Sequence, residues 1–260
     1  MPAEVGPART ARLWVPHQHG AWAMLALPIL VGVAASRFVP GQVLLGAAAV
    51  AVYLASATLQ AWLRSKRRPS YVPSIITYAA AATVFGIPLV LLEPRLILAF
   101  IVAAPAGALT LAASRPGTPR ELALSLAHVA QASVLAPAAM LLGGETRIWV
   151  LGAATAIVAA EMAGSVLAVR SVIRERDNVA FAARSVAYHV MITLAAAIAL
   201  PWAYAALAAF LTARAAALPL ARHRLAGTRW GLRPVQVGVV EAIASIALVV
   251  VAVSIPLSSA

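Results

Sequence analysis

No cysteine occurs anywhere in the chain, which removes disulfides, thiolate metal sites and cysteine nucleophiles from consideration together. Charge is scarce as well. Only 11% of the 260 residues are Asp, Glu, Lys or Arg, where a soluble domain carries roughly 25% to keep its surface wetted. Acid is scarcest of all: there are eight Asp and Glu in total, and none between Glu4 and Glu93. The chain also lacks a Walker loop, a Rossmann glycine pattern, an H-E-x-x-H zinc helix and a serine-nucleophile motif. Heptads, low-complexity tracts and lipid-anchor motifs are absent too. These gaps leave few of the familiar routes to catalysis.

Apolar sequence fills the space. Hydrophobic residues make up 63% of the chain and the mean hydropathy is +0.91. That is more than one core can bury, so lipid must cover the remainder. Apolar runs between turn signals give nine spans, at 20–36, 42–63, 71–92, 95–113, 120–142, 148–169, 185–200, 202–220 and 235–255. Each is near the ~20 residues that cross about 30 Å of hydrocarbon as a helix. The expected fold is therefore all-α, a polytopic bundle of about nine transmembrane helices. It has a tail at 1–19 and one membrane domain at 20–260. Pro40, Pro69, Pro94, Pro116, Pro119, Pro201 and Pro234 fall at expected helix ends, whereas Pro28, Pro88, Pro105 and Pro137 fall inside spans and predict kinks. Pro28, together with His17, His19 and Trp22 crowding its start, argues that the first span is retained rather than cleaved as a signal peptide.

The formal net charge of +12 does not indicate a nucleic-acid partner, because the basic residues come in short bursts between spans. Sixteen of the 20 Lys and Arg lie on one side, three on the other, and Arg214 lies within a span. The positive-inside rule then places the N-terminus in the cytoplasm and the C-terminus outside.

Ionisable groups within spans are costly and mark candidate sites. His128, Glu161, Arg214 and Glu241 are such groups. Glu161 lies nine residues before Arg170, about 13 Å along a helix, and so near the bilayer middle. Arg214 and His128 are its plausible partners, while Arg214 and Glu241 are near enough to a span end to snorkel. The segment from Pro16 to Met24 places His17, His19 and Trp22 where the chain enters the membrane. The spacing favours a polar plug or substrate contact there over a metal site, and no metal or other cofactor is expected. The sixth connection carries Arg170, Arg174, Glu175, Asp177 and Asn178, with Ser185 and His189 opening the next span. Arg170, Arg174 and Asp177 share a helical face, where arginines can grip phosphate. A loop whose charges pair among themselves is the competing account. Gln60 and Arg64 close the second span.

Pro16-x-x-His19-Gly20-Ala21-Trp22-Ala23-Met24 with Leu27-Pro28 resembles the start of the YwiC-like bacterial membrane proteins. Val169-Arg170 through Asn178, Ser185 with His189, and Gln236-x-Gly238-x-x-Glu241 extend the resemblance along the chain. It implies a multi-pass protein of the bacterial cell membrane and no particular reaction. The layout also resembles the UbiA-type intramembrane prenyltransferases, nine helices with functional segments in the second and sixth cytoplasmic connections. That family holds Mg²⁺ and a polyprenyl diphosphate on Asp-rich motifs. Here the second connection offers Arg64, Lys66, Arg67 and Arg68 and no acid, so the first motif is missing. Three functions stay open. The first is a UbiA-like bundle whose cytoplasm-facing cavity binds an amphipathic anion through arginines, an isoprenoid phosphate or quinone-type lipid, including as a divergent transferase. The second is a membrane transporter, and the third a non-catalytic assembly or interaction component.

Overall fold

A computed structural model of the chain describes Trp14 and residues 19–114, 122–225, 233–255 and 257, with backbone alone at 19–21 and 225. Its helices are α1 (His19–Ala34), α2 (Pro40–Arg64), α3 (Val72–Leu92), α4 (Leu96–Ala112), α5 (Leu122–Ser133), α6 (Leu135–Leu142), α7 (Ile148–Ile173), α8 (Val179–Ala199), α9 (Trp202–Leu225) and α10 (Pro234–Ser254). A 3-10 turn at Pro69–Tyr71 leads into α3, and no strand occurs among the described residues. Seven stretches are long and apolar enough to cross a bilayer, α5 and α6 counting as one, and the apolar parts of α1 and α4 are shorter. Among the described residues the all-α polytopic bundle is thus present with seven full-length candidate spans. α1 and α4 occupy the positions of the other two expected spans as shorter apolar helices.

The prolines explain much of the punctuation. Pro40 and Pro234 open α2 and α10, where a missing N–H leaves no bond unmade. Pro28, Pro88 and Pro105 lie inside helices, as does Pro219, because α9 runs on to Leu225 beyond the expected end at 220. Pro137 acts more sharply. It cannot donate to the Ser133 carbonyl, and the fifth span divides at Val134 into α5 and α6. The sixth and seventh spans also extend further than expected on their basic sides, to Ile173 and from Val179. Pro116 and Pro119 lie outside the described residues.

α1 occupies the centre, packing against α6 and α10 most extensively and also against α2, α5 and α7. Its approach to α6 requires glycine: a Cβ on Gly32 would lie 2.5 Å from the Ala136 carbonyl oxygen and 2.7 Å from Ala139 Cβ. Gln42, in the first turn of α2, ties the same region together. Its Nε2 donates to Ala139 O at 2.8 Å and Arg37 O at 3.1 Å, and its Oε1 accepts from the Val39 N–H at 3.0 Å. Buried amide and carbonyl groups are satisfied together, so the α1–α2 turn is fastened to α6. The main core lies beside this fastening and joins α1, α5, α6, α7 and α10 through Leu27, Val31, Val129, Met140, Val158 and Leu248.

Two hairpins flank that centre. α2 packs on α3 on one side, and α8 packs on α9 on the other, where the pair leans on α7 and α10. α3 buries little, leaving Ile76, Val84 and Leu91 at 62%, 65% and 77% exposure. An apolar face of that breadth belongs in lipid.

Candidate functional site

The buried positions of α10, Val237, Glu241, Ala244, Leu248 and Ala252, recur every three or four residues, so one stripe faces the bundle. Glu241 is the charge in that stripe. On α7 the same periodicity puts Glu161 among Ala154, Val158, Gly164 and Ala168. α8 contributes Ser185 and His189, one turn apart and both buried, and α9 contributes Arg214, which is buried beside Ala215. Helical spacing thus turns four ionisable side chains from four helices toward one region.

Arg214 Nη1 donates to Glu241 Oε2 at 2.9 Å, with side-chain exposures of 3% and 11%. Burial explains why the pair forms: a lone charge loses several kcal/mol of hydration, and a partner in hydrogen-bond contact offsets most of it. Arg214 Nη2 lies 3.4 Å from His189 Nε2. His189 Nδ1 is 2.7 Å from the Ser185 carbonyl oxygen, which can only accept, so Nδ1 carries the proton and Nε2 faces the guanidinium as an acceptor. Glu161 stands beside this group and forms no ion pair among the described residues. Its Oε1 accepts from the Ser245 hydroxyl at 3.2 Å. The Tyr188 hydroxyl donates to Ala160 O at 3.0 Å, and its ring meets the His189 ring edge-on at 5.6 Å. Arg214 Nε, Glu241 Oε1 and Ser185 Oγ are buried without a hydrogen-bond partner.

A narrow cavity of about 60 Å³ adjoins the cluster. Glu161, Tyr188 and His189 form its polar end, and Ile157, Leu211 and Leu248 line its apolar wall. It also touches Leu200 and Tyr204 at the α8–α9 turn. His189 and Leu200 are about 16 Å apart along α8 at the helical rise. The cavity therefore runs from the cluster toward the end of the bundle opposite the basic connections.

The structure brings Glu161, Ser185, His189, Arg214 and Glu241 together and places the other sequence-selected residues elsewhere. Arg214 and Glu241 do not snorkel; they pair across α9 and α10. His128 is half-buried on α5 with Nδ1 2.8 Å from its own Leu124 O. Trp22 is 43% exposed and stacks edge-on with Tyr53. His17 lies outside the described residues, and of His19 only the backbone is described. Gln60 and Arg64 end α2, where Lys66 and Arg67 adopt positive φ of 57° and 63° and Arg67 sits over the Trp62 ring.

In the sixth connection Glu175 lies 3.5 Å from Arg170 and accepts from Asn178 Nδ2 at 3.1 Å. Asn178 Oδ1 in turn caps α8 by accepting from the Phe181 N–H. Arg176 pairs with Asp177 at 3.2 Å in the open, and Arg174 is exposed. The loop's acids are thus taken up by its own cations and amides. Among the described residues no three His, Asp or Glu side chains gather as a metal site would require. Sequence reading passed over Tyr188, Gly164 and Ser245. Their signal was spacing: Ser245 follows Glu241 by four residues and Gly164 follows Glu161 by three, which sets each on its neighbour's face.

A buried charge cluster within an apolar helical bundle defines an integral membrane protein with an intramembrane polar site. The family model described as YwiC-like protein matches residues 15–140, just under half of the chain, and over that span the chain is similar to this family. The match covers α1 to most of α6, including the Gln42 fastening, whereas the charged cluster on α7–α10 lies beyond it. No curated protein matches, and no solved structure does.

Proposed function

We propose that the chain is a membrane transporter whose translocation site is the cluster formed by Glu161, His189, Arg214 and Glu241. One observation carries this reading: four ionisable side chains from four helices meet in the membrane interior beside a cavity leading to one end of the bundle. Buried intramembrane charges of this kind mark ion and proton pathways. A pair serving packing alone would need neither Glu161, which stands outside the Arg214–Glu241 bridge, nor the cavity at its side.

An amphipathic-anion reading, with a UbiA-like arrangement and an isoprenoid phosphate or quinone-type head group, has one observation of its own. Arg170 Nε and Nη1 are buried without a hydrogen-bond partner, so the guanidinium retains donors for an anion. It is the weaker reading. α2 and its Arg64–Arg68 end belong to the flank opposite α8 and α9, so the two arginine groups do not face each other across a shared helix contact.

The transporter reading predicts access from both sides of the membrane. The chain has no cysteine of its own, so Ser245→Cys introduces the sole thiol. In right-side-out and inside-out vesicles a membrane-impermeant thiol reagent is expected to label it from either face. Labelling from neither face would reduce the cluster to a packing device.

A further inference from the structure

The cavity beside Glu161 has a chemistry that selects its occupant. Its single carboxylate makes no ion pair with Arg214, whose guanidinium bridges to Glu241 at 2.9 Å and lies 3.4 Å from His189. Glu161 therefore faces the cavity with one hydroxyl bond, from Ser245. The rings of Tyr188, His189 and Tyr204 line the same space, and the remaining wall is aliphatic. A carboxylate flanked by aromatic rings and aliphatic carbon attracts an organic cation, by charge at one point and by ring quadrupole around it.

Other occupants fit less well. An anion would meet the carboxylate. A divalent cation takes six or more oxygen ligands, whereas the side chains lining the cavity supply oxygen only from Glu161, Tyr188 and Tyr204. Size sets a further limit. A cavity of roughly 150 Å³ admits benzene, so about 60 Å³ suits a head group the size of ammonium or methylammonium and excludes a prenyl chain.

We infer that Glu161 binds a small monovalent ammonium-type cation in the cavity between α7, α8 and α9, which would be the substrate class of the transporter proposed above and rests on that reading. Cation and proton compete for the same carboxylate, so binding weakens as pH falls. The charged and titratable groups around Glu161 are Tyr188 and His189 on α8, Tyr204 and Arg214 on α9 and Glu241 on α10. His128 on α5 is turned back onto Leu124 O.

The test is equilibrium binding of radiolabelled methylammonium to the purified full-length protein in detergent. Saturable binding is expected, displaced by ammonium and not by tetrabutylammonium. Glu161→Gln keeps the side chain's shape and the acceptor for Ser245, and is expected to weaken binding at least tenfold. Arg95→Gln, in the exposed α3–α4 connection, is expected to leave it unchanged. Absence of saturable binding, equal competition by tetrabutylammonium, or full binding by a folded Glu161→Gln protein would each overturn the inference. Binding does not require transport, so the two proposals fail separately. Ser245→Cys labelled from both faces without methylammonium binding leaves a transporter of another substrate. Binding without such labelling leaves a cation site that does not alternate.

Discussion

Gly164 on α7 and His189 on α8 lie so close that a Cβ on the glycine would stand 2.8 Å from His189 Nε2. The His189 ring therefore occupies space that any other residue at 164 would fill. That position puts Nε2 within 3.4 Å of Arg214, so a backbone choice on α7 fixes a polar contact on α9. Gly164→Ala forces the ring aside or the helices apart. Overpacking of this kind costs about 1–3 kcal/mol, and a lowered melting temperature in detergent is the expected readout. A variant as stable as the wild type would mean that the ring does not pack there.

The Arg214–Glu241 pair makes a prediction about pairs rather than residues. Removing one partner leaves the other charge buried and alone, a loss of roughly 3–5 kcal/mol. Arg214→Met and Glu241→Leu are therefore each expected to lower thermal stability strongly. The double substitution leaves no orphan charge and is expected to recover most of the loss. If the double variant falls by the sum of the singles, the two residues are not partners. Transport distinguishes the roles: the recovered double variant is expected to be folded and inactive.

How much of this was legible in the sequence depended on which signal had to be read. Hydropathy and length located the helices, seven of them long and apolar enough to span, because roughly 20 apolar residues in a row have few other uses. Helix ends were less visible on the basic side, where α7, α8 and α9 continue past the apolar run, with Arg170 and Arg222 on the last turns of α7 and α9 and Arg184 on the second turn of α8. The break at Val134 was foreshadowed only as a kink at Pro137. For the site, the cost of burying charge pointed to Glu161, Arg214 and Glu241 individually. Their partnership reads otherwise in the sequence, which sets Arg214 and His128 beside Glu161. Arg214 instead pairs with Glu241, 27 residues away, because α9 and α10 pack together, and His128 turns to Leu124 O. Gln42 was missed entirely, since its role depends on the carbonyl of Ala139, 97 residues away.

Outside the membrane, Glu145 offers a titration with a clear sign. Hydrogen bonds from the Arg147 side chain, Nε at 3.0 Å and Nη2 at 2.8 Å, and then from backbone N–H groups, hold its carboxyl at about 2, below an ordinary 4.5. The folded value lies below the unfolded one. Its contribution to stability is accordingly present above pH 4.5 and lost as pH falls through about 2. Arg147→Gln is expected to return the carboxyl to the ordinary range, visible by infrared or carbon NMR titration of Glu145. An unchanged titration in that variant would show that Arg147 is not the cause.

Orientation is the last prediction, and it governs what the cavity can reach. Sixteen Lys and Arg fall on the side of the second, fourth, sixth and eighth connections, and three fall on the other. Two of those three, Arg95 and Arg147, are bridged to Glu93 and Glu145 at 2.7 and 2.8 Å. Their charges are neutralised locally, whereas Lys66, Arg67, Arg68, Arg174 and Arg224 on the basic side are exposed. Each exposed cation near an anionic cytoplasmic leaflet contributes about 1 kcal/mol, so the inverted topology is disfavoured many times over. A reporter active only outside the cytoplasm is expected to be active when fused after Glu145 or Ala260 and silent after Arg176. The cavity, which ends near Leu200 and Tyr204 at the α8–α9 turn, then opens on the outer half of the membrane. A small cation would reach Glu161 from outside in this conformation and leave through the basic face only after the helices around Arg214 and Glu241 rearrange. Activity of the Arg176 fusion would reverse the topology and with it the direction from which Glu161 is loaded.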